Sequence, residues 1–96
     1  MTPEGKVKAK VKTLLKQHGV WYFMPVPWGN RGIPDLACVL KGQALFIETK
    51  AGRGKVTPLQ ARCMEEIRQA GGIAVVINEN NLNQLHDLLH QLGAEG

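Results

Sequence analysis

The stretch GIPDLACVLKGQALFIETK, residues 32–50, decides how this chain folds. Residues 36–40 and 45–49 are apolar, β-prone runs on either side of Lys41-Gly42-Gln43-Ala44. Gly42-Gln43 as a two-residue loop suits a type II′ hairpin, which takes glycine first. That loop predicts Leu40 opposite Leu45 and, counting outward, Asp35 opposite Lys50. Side chains alternate along a strand, so Glu48 and Lys50 share one face while Leu45, Ile47 and Thr49 take the other. Asp35 and Ala37 fall on the Glu48 side, with Asp35 a diagonal neighbour of Glu48 at about 7–8 Å between backbones. Three charged groups thus converge at the open end of an apolar hairpin. They fit a cross-strand Asp35–Lys50 ion pair with a solvated Glu48, as is common at hairpin ends. They also fit a cation site, because two adjacent carboxylates repel unless a cation holds them. Oxygen-only ligation of that kind suits Mg²⁺ or Mn²⁺.

Outward from the hairpin, the pattern predicts helices and strands in the order αβββαβα. Thr2-Pro3 opens a first helix, and Val7, Val11, Leu14 and Leu15 form its apolar stripe before Gly19. Lysines 6, 8, 10, 12 and 16 occupy much of the remaining surface of that helix. Residues 20–26 read as a strand cut off by Pro25 and Pro27, followed by the glycine-punctuated loop 28–32. Residues 51–56 form a basic loop. Thr57-Pro58-Leu59-Gln60 has the residues of a capping box and starts a second helix that runs to Gly71-Gly72. A buried strand at 73–78 and a last helix from about Asn81 to Gly93 complete the order.

At 96 residues the expectation is one domain spanning 1–96. Apolar residues at 44% and charged residues at 21% are those of a globular chain, not a disordered one. No apolar run is long enough to span a bilayer and no signal peptide is evident, so no membrane partner is expected. Cys38 and Cys63 lack metal-ligand spacing and read as structural thiols. Charge is uneven: residues 1–55 carry ten Lys/Arg against three acids, and residues 56–96 carry two against five. A basic half of this kind favours a polyanionic partner, nucleic acid first.

Pro34-Asp35, a twelve-residue gap, then Glu48-Thr49-Lys50 resembles the PD-(D/E)XK nuclease signature. RGIPDL before the hairpin, FIETK at its end, Glu4 near the start of the first helix and Gln60 opening the second resemble, more narrowly, the VRR-NUC family. The likeness is to its small standalone phage and bacterial members. It implies an α/β, restriction-endonuclease-like αβββαβ core, a mixed sheet flanked by helices, with a C-terminal helix. It also implies a Mg²⁺- or Mn²⁺-dependent DNA endonuclease that leaves a 5′-phosphate and a 3′-hydroxyl. Asp35, Glu48 and the Thr49 backbone carbonyl would hold the metal, with Glu4 as a further carboxylate. Lys50 would orient or help deprotonate the attacking water, and Gln60 would hold Lys50 or the phosphate. Family members of this type imply a homodimer acting on branched DNA, four-way junctions above all, in the cytoplasm of a bacterial or phage-infected cell. Two alternatives stay open: a non-catalytic DNA-binding module on the same fold, and a nuclease for flaps or plain duplex. Gln60 reads equally as a helix cap, and Glu4 as a first-turn acid favoured by the helix dipole.

Arg31, Arg53 and Lys55 are candidate phosphate contacts, and Lys8 and Lys12 on the first helix a candidate DNA track. Trp28 is a candidate for base stacking, whereas Trp21 reads as core. HDLLH (86–90) resembles the zinc-protease HExxH with an aspartate in place of glutamate. With no third ligand near it in sequence, its histidines read as surface residues beside Leu85, Leu88, Leu89 and Leu92. AGRGKVT (51–57) fails as a phosphate-binding loop, because Thr49 and Val56 stand where glycine and Ser/Thr are needed.

Overall fold

The computed structural model describes residues 1–26 and 32–93. Its elements are α1 (Pro3–Gln17), β1 (Trp21–Phe23), β2 (Leu36–Leu40), β3 (Gln43–Thr49), α2 (Pro58–Gln69), β4 (Ile73–Ile77) and α3 (Leu82–Gln91). The order is the expected αβββαβα. The sheet runs β1-β2-β3-β4, antiparallel through β3 and parallel between β3 and β4. The parallel pair needs a crossover, which α2 supplies.

Local chemistry sets the helix starts. Thr2 Oγ1 accepts the N–H of Gly5 at 3.0 Å, with Pro3 in the first turn. Thr57 and Gln60 exchange both bonds of a capping box, again with proline beside the cap. Each device satisfies N–H groups that a helix start leaves without partners.

One sheet face carries Leu36, Cys38, Leu40, Leu45, Ile47 and Ile77, which pack with Val7, Val11 and Leu15 of α1 and Leu85 and Leu89 of α3. The opposite face presents Ala37, Phe46, Glu48 and Ala74 to α2, whose Met64 is buried. Cys38 sits in the core, where burial pushes its thiol up to about 12, and both cysteines are free thiols.

The hairpin differs from expectation by two residues. Leu40 pairs with Gln43 and Leu36 with Ile47, so the loop is Lys41-Gly42. Both loop residues have positive φ, 51° and 79°, which is the type I′ signature. The turn accepts a left-handed lysine and places Gln43 in the strand, where its side chain donates to the Gly71 carbonyl at 3.2 Å. A slip of two preserves which residues share a face. It changes partners, however: one step beyond the Leu36–Ile47 pair, Asp35 lies across from Glu48 rather than from Lys50.

Candidate active site

Asp35 occupies the bend before β2, Glu48 and Lys50 lie at the end of β3, and Gln60 sits in the first turn of α2. Glu48 is only 4% exposed, an unusual position for a carboxylate. Its Oε2 accepts from Gln60 Nε2 at 3.3 Å and lies 3.4 Å from Lys50 Nζ. Its Oε1 is buried with no hydrogen-bond partner. Burial pushes the Glu48 carboxyl above its ordinary value, the neighbouring Asp35 charge adds to this, and Lys50 works against both. Glu4 raises it further, so the first turn of α1 stands within electrostatic reach of the site.

Asp35 is held differently from expectation. Its Oδ2 accepts both the backbone N–H of Thr49, at 3.0 Å, and the Thr49 hydroxyl, at 2.6 Å. Its Oδ1 lies 3.6 Å from Lys8 Nζ on α1. The expected Asp35–Lys50 ion pair is therefore replaced by two separate pairs, Lys8–Asp35 and Lys50–Glu48. Thr49, which sequence reading credits with its backbone alone, is fully buried and orients Asp35 through its side chain. Thr49→Val keeps the shape and deletes the donor. It should cost about 1 kcal/mol of stability and, by loosening the carboxylate, roughly 10–100-fold in any metal-dependent activity. Thermal melts and metal titrations on the variant check both effects.

Gln60 holds two positions at once. Its Oε1 accepts the N–H of Thr57 at 2.9 Å while its Nε2 donates to Glu48, so the helix cap and the site contact are the two ends of one amide. Gly32 makes this possible. It has φ +66°, and a Cβ there would lie 2.6 Å from backbone atoms of Leu59 and Gln60. The GIPD segment and the start of α2 thus touch backbone to backbone.

Of the basic residues, Lys8 reaches the site directly, and Lys12 follows one turn on along α1. Arg53 and Lys55 lie exposed in the loop after Lys50. Arg31 and Trp28 fall outside the described residues. Trp21 is not core: it is 62% exposed on the edge strand β1, against Phe23.

The donor set fits a hard divalent cation. Two carboxylates lie across one strand pair, one of them with a buried oxygen that nothing else satisfies. Oxygen ligands of that type are what Mg²⁺ and Mn²⁺ take.

No family model and no curated protein matches the chain. A solved structure described as a VRR_NUC domain does match, with a TM-score of 0.74 and 26% identity over 96% of this chain and 95% of that one. The fold is that of a VRR-NUC domain. The VRR-NUC fold accounts for the mixed sheet flanked by helices and for the meeting of the PD and ETK segments at one end of the β2–β3 hairpin. A VRR-NUC domain is a nuclease domain of the PD-(D/E)XK type, for which DNA is the partner. No helix among the described residues is long and apolar enough to cross a membrane.

Proposed function

We propose that this VRR-NUC domain is a Mg²⁺- or Mn²⁺-dependent endonuclease selective for branched DNA, four-way junctions above all, and that it acts as a homodimer. The observation that carries the metal-dependent reading is the buried, unpartnered Glu48 Oε1, in a carboxyl that feels the charge of Asp35. Asp35 and Glu48 would hold the cation, together with the Thr49 carbonyl and, directly or through water, Glu4. Such a cation, when bound, neutralises phosphate charge and lowers the pKa of a coordinated water.

The chain's own residues position the rest. The hydroxyl and N–H of Thr49 keep Asp35 in place, and Gln60 keeps Glu48 from swinging away. Lys50 Nζ, 3.4 Å from Glu48 Oε2, would orient the attacking water and steady the charge that builds on the phosphate oxygens. The water oxygen bonds to phosphorus as the P–O3′ bond breaks, leaving a 5′-phosphate and a 3′-hydroxyl. A cleft of about 230 Å³ lined by Lys8, Met24, Pro25, Ile33, Pro34 and Asp35 opens beside the acid and offers the strand a path. Lys8 and Lys12, with Arg53 and Lys55 on the loop after Lys50, supply cationic contacts for the backbone. Arg31 is assigned to the same role from its place in the sequence.

Self-association is supported by the edge strand. Trp21, Phe23 and Val39 are exposed on one sheet face, and β1 pairs only with β2 among the described residues. Apolar groups clustered on a sheet edge mark an association surface. A chain with one site needs a second copy to nick two strands symmetrically.

Nicking of four-way junctions, flaps and plain duplex in Mg²⁺ or Mn²⁺, compared with Lys50→Ala, tests this reading. The native chain should cut junctions fastest. Lys50→Ala should lose about 10²–10³ in kcat, the usual loss on removing one charge-stabilising donor, while still binding DNA. Light scattering on the same sample should give twice the chain mass. A native protein that binds neither cation calorimetrically and cuts none of the substrates is a DNA-binding module instead.

A further inference from the structure

His18 caps the C-terminus of α1 and is 5% exposed, with a buried Nδ1 that has no hydrogen-bond partner. Its ring lies 5.0 Å from that of His86 and 5.1 Å from that of His90, and those two are 4.6 Å apart. One nitrogen from each of the three falls within 4.8 Å of the others. The third histidine that HDLLH lacks nearby in sequence is supplied by α1, while His86 and His90 themselves are exposed as expected. Spacing of four along α3 puts His86 and His90 on one helix face, and the packing of α1 against α3 brings up His18.

We propose that His18, His86 and His90 form a Zn²⁺ site that ties the end of α1 to α3. Imidazole nitrogens suit Zn²⁺, whereas the carboxylate site suits hard cations, so the two sites would select different metals. Zn–N bonds of about 2.0–2.1 Å in tetrahedral geometry set the nitrogens roughly 3.3 Å apart. His86 and His90 are exposed and can rotate toward the fixed His18, closing the present spacing by side-chain movement alone. The solvent side of the trio leaves a fourth position for water. Burial, and then the two neighbouring rings, push the His18 imidazole below its ordinary value, which keeps its lone pair available. From Glu4 to His18 is fourteen residues, about 21 Å of helix, so the trio stands apart from the acidic site.

Calorimetric titration with Zn²⁺, alongside thermal melts with and without Zn²⁺, tests the site without reference to cleavage. His86→Ala and His90→Ala serve as variants because both side chains are exposed and need not disturb the fold. The native chain should bind one Zn²⁺ and, at tenfold excess over Kd, melt about 5–10 °C higher. Each histidine variant should bind at least tenfold more weakly and lose that shift, while Glu48→Gln retains both. No Zn²⁺ binding by the native chain, or a loss of less than tenfold in the histidine variants, overturns the site.

Discussion

In metal-free buffer at pH 8, Glu48→Gln should melt at a higher temperature than the native chain, yet cleave DNA about 10³-fold more slowly when Mg²⁺ is supplied. The stability gain follows from linkage. The folded carboxyl of Glu48 titrates above its ordinary value of 4.5, so the folded chain holds the proton more tightly than the unfolded one. Stability therefore falls as pH rises from that ordinary value through the raised one, and an uncharged amide escapes the loss. The cleavage loss follows from the metal-ligand role proposed for Glu48: a catalytic cation supplies several kcal/mol of transition-state stabilisation, and each 1.36 kcal/mol is tenfold in rate. Divalent cations should raise the melting temperature of the native chain and leave that of Glu48→Gln unchanged. DNA binding should persist or tighten, because a negative charge near the phosphates is gone. Retained cleavage by the variant, or an undiminished metal-induced shift, removes Glu48 from the metal site.

Gly32→Ala should cost about 2–5 kcal/mol of stability, the sum of a left-handed non-glycine residue and a forced displacement of packed atoms. For a chain of this size that lowers the melting temperature by roughly 10–30 °C. The added methyl group meets the backbone of Leu59 and Gln60, which cannot rotate aside as a side chain would. Gly42→Ala is the internal control, for its φ of +79° is also positive but its surroundings are open. It should cost only about 1–2 kcal/mol, from conformation alone. Denaturant melts of both variants against the native chain measure the difference. Equal losses at the two positions would mean that the backbone contact contributes nothing.

Much of this architecture was legible in the residues themselves. Apolar alternation in 36–49, the Thr57–Gln60 box and the glycines at 19 and 71 place the elements closely, because each rests on chemistry within a few residues. The hairpin register was not legible, since Gly42 suits the first position of one turn type and the second of another. The choice depends on whether Lys41 tolerates a positive φ. Face assignment survived because the two registers differ by an even number. The role of the Thr49 hydroxyl is hidden in the sequence for a related reason. Alternation puts Thr49 on the face opposite Glu48, but Asp35 lies in a bend where alternation no longer directs the side chain. Trp21 is exposed where its sequence suggests core because a three-residue strand at a sheet edge leaves one face uncovered. His18 could be joined to His86 and His90 only by the packing of two helices distant in sequence, which no local pattern encodes.

Gln60 couples the dynamics of the site to those of a helix. Its amide oxygen is committed to the N–H of Thr57 and its nitrogen to Glu48, so the two contacts share one rotatable group. A ligand that draws Glu48 Oε2 away pulls on that group and unsettles the first turn of α2. Hydrogen exchange at the Thr57 and Gln60 amides then becomes a reporter of occupancy more than one residue removed from the ligand. The readout requires no moving lid, only the side chain that begins the helix.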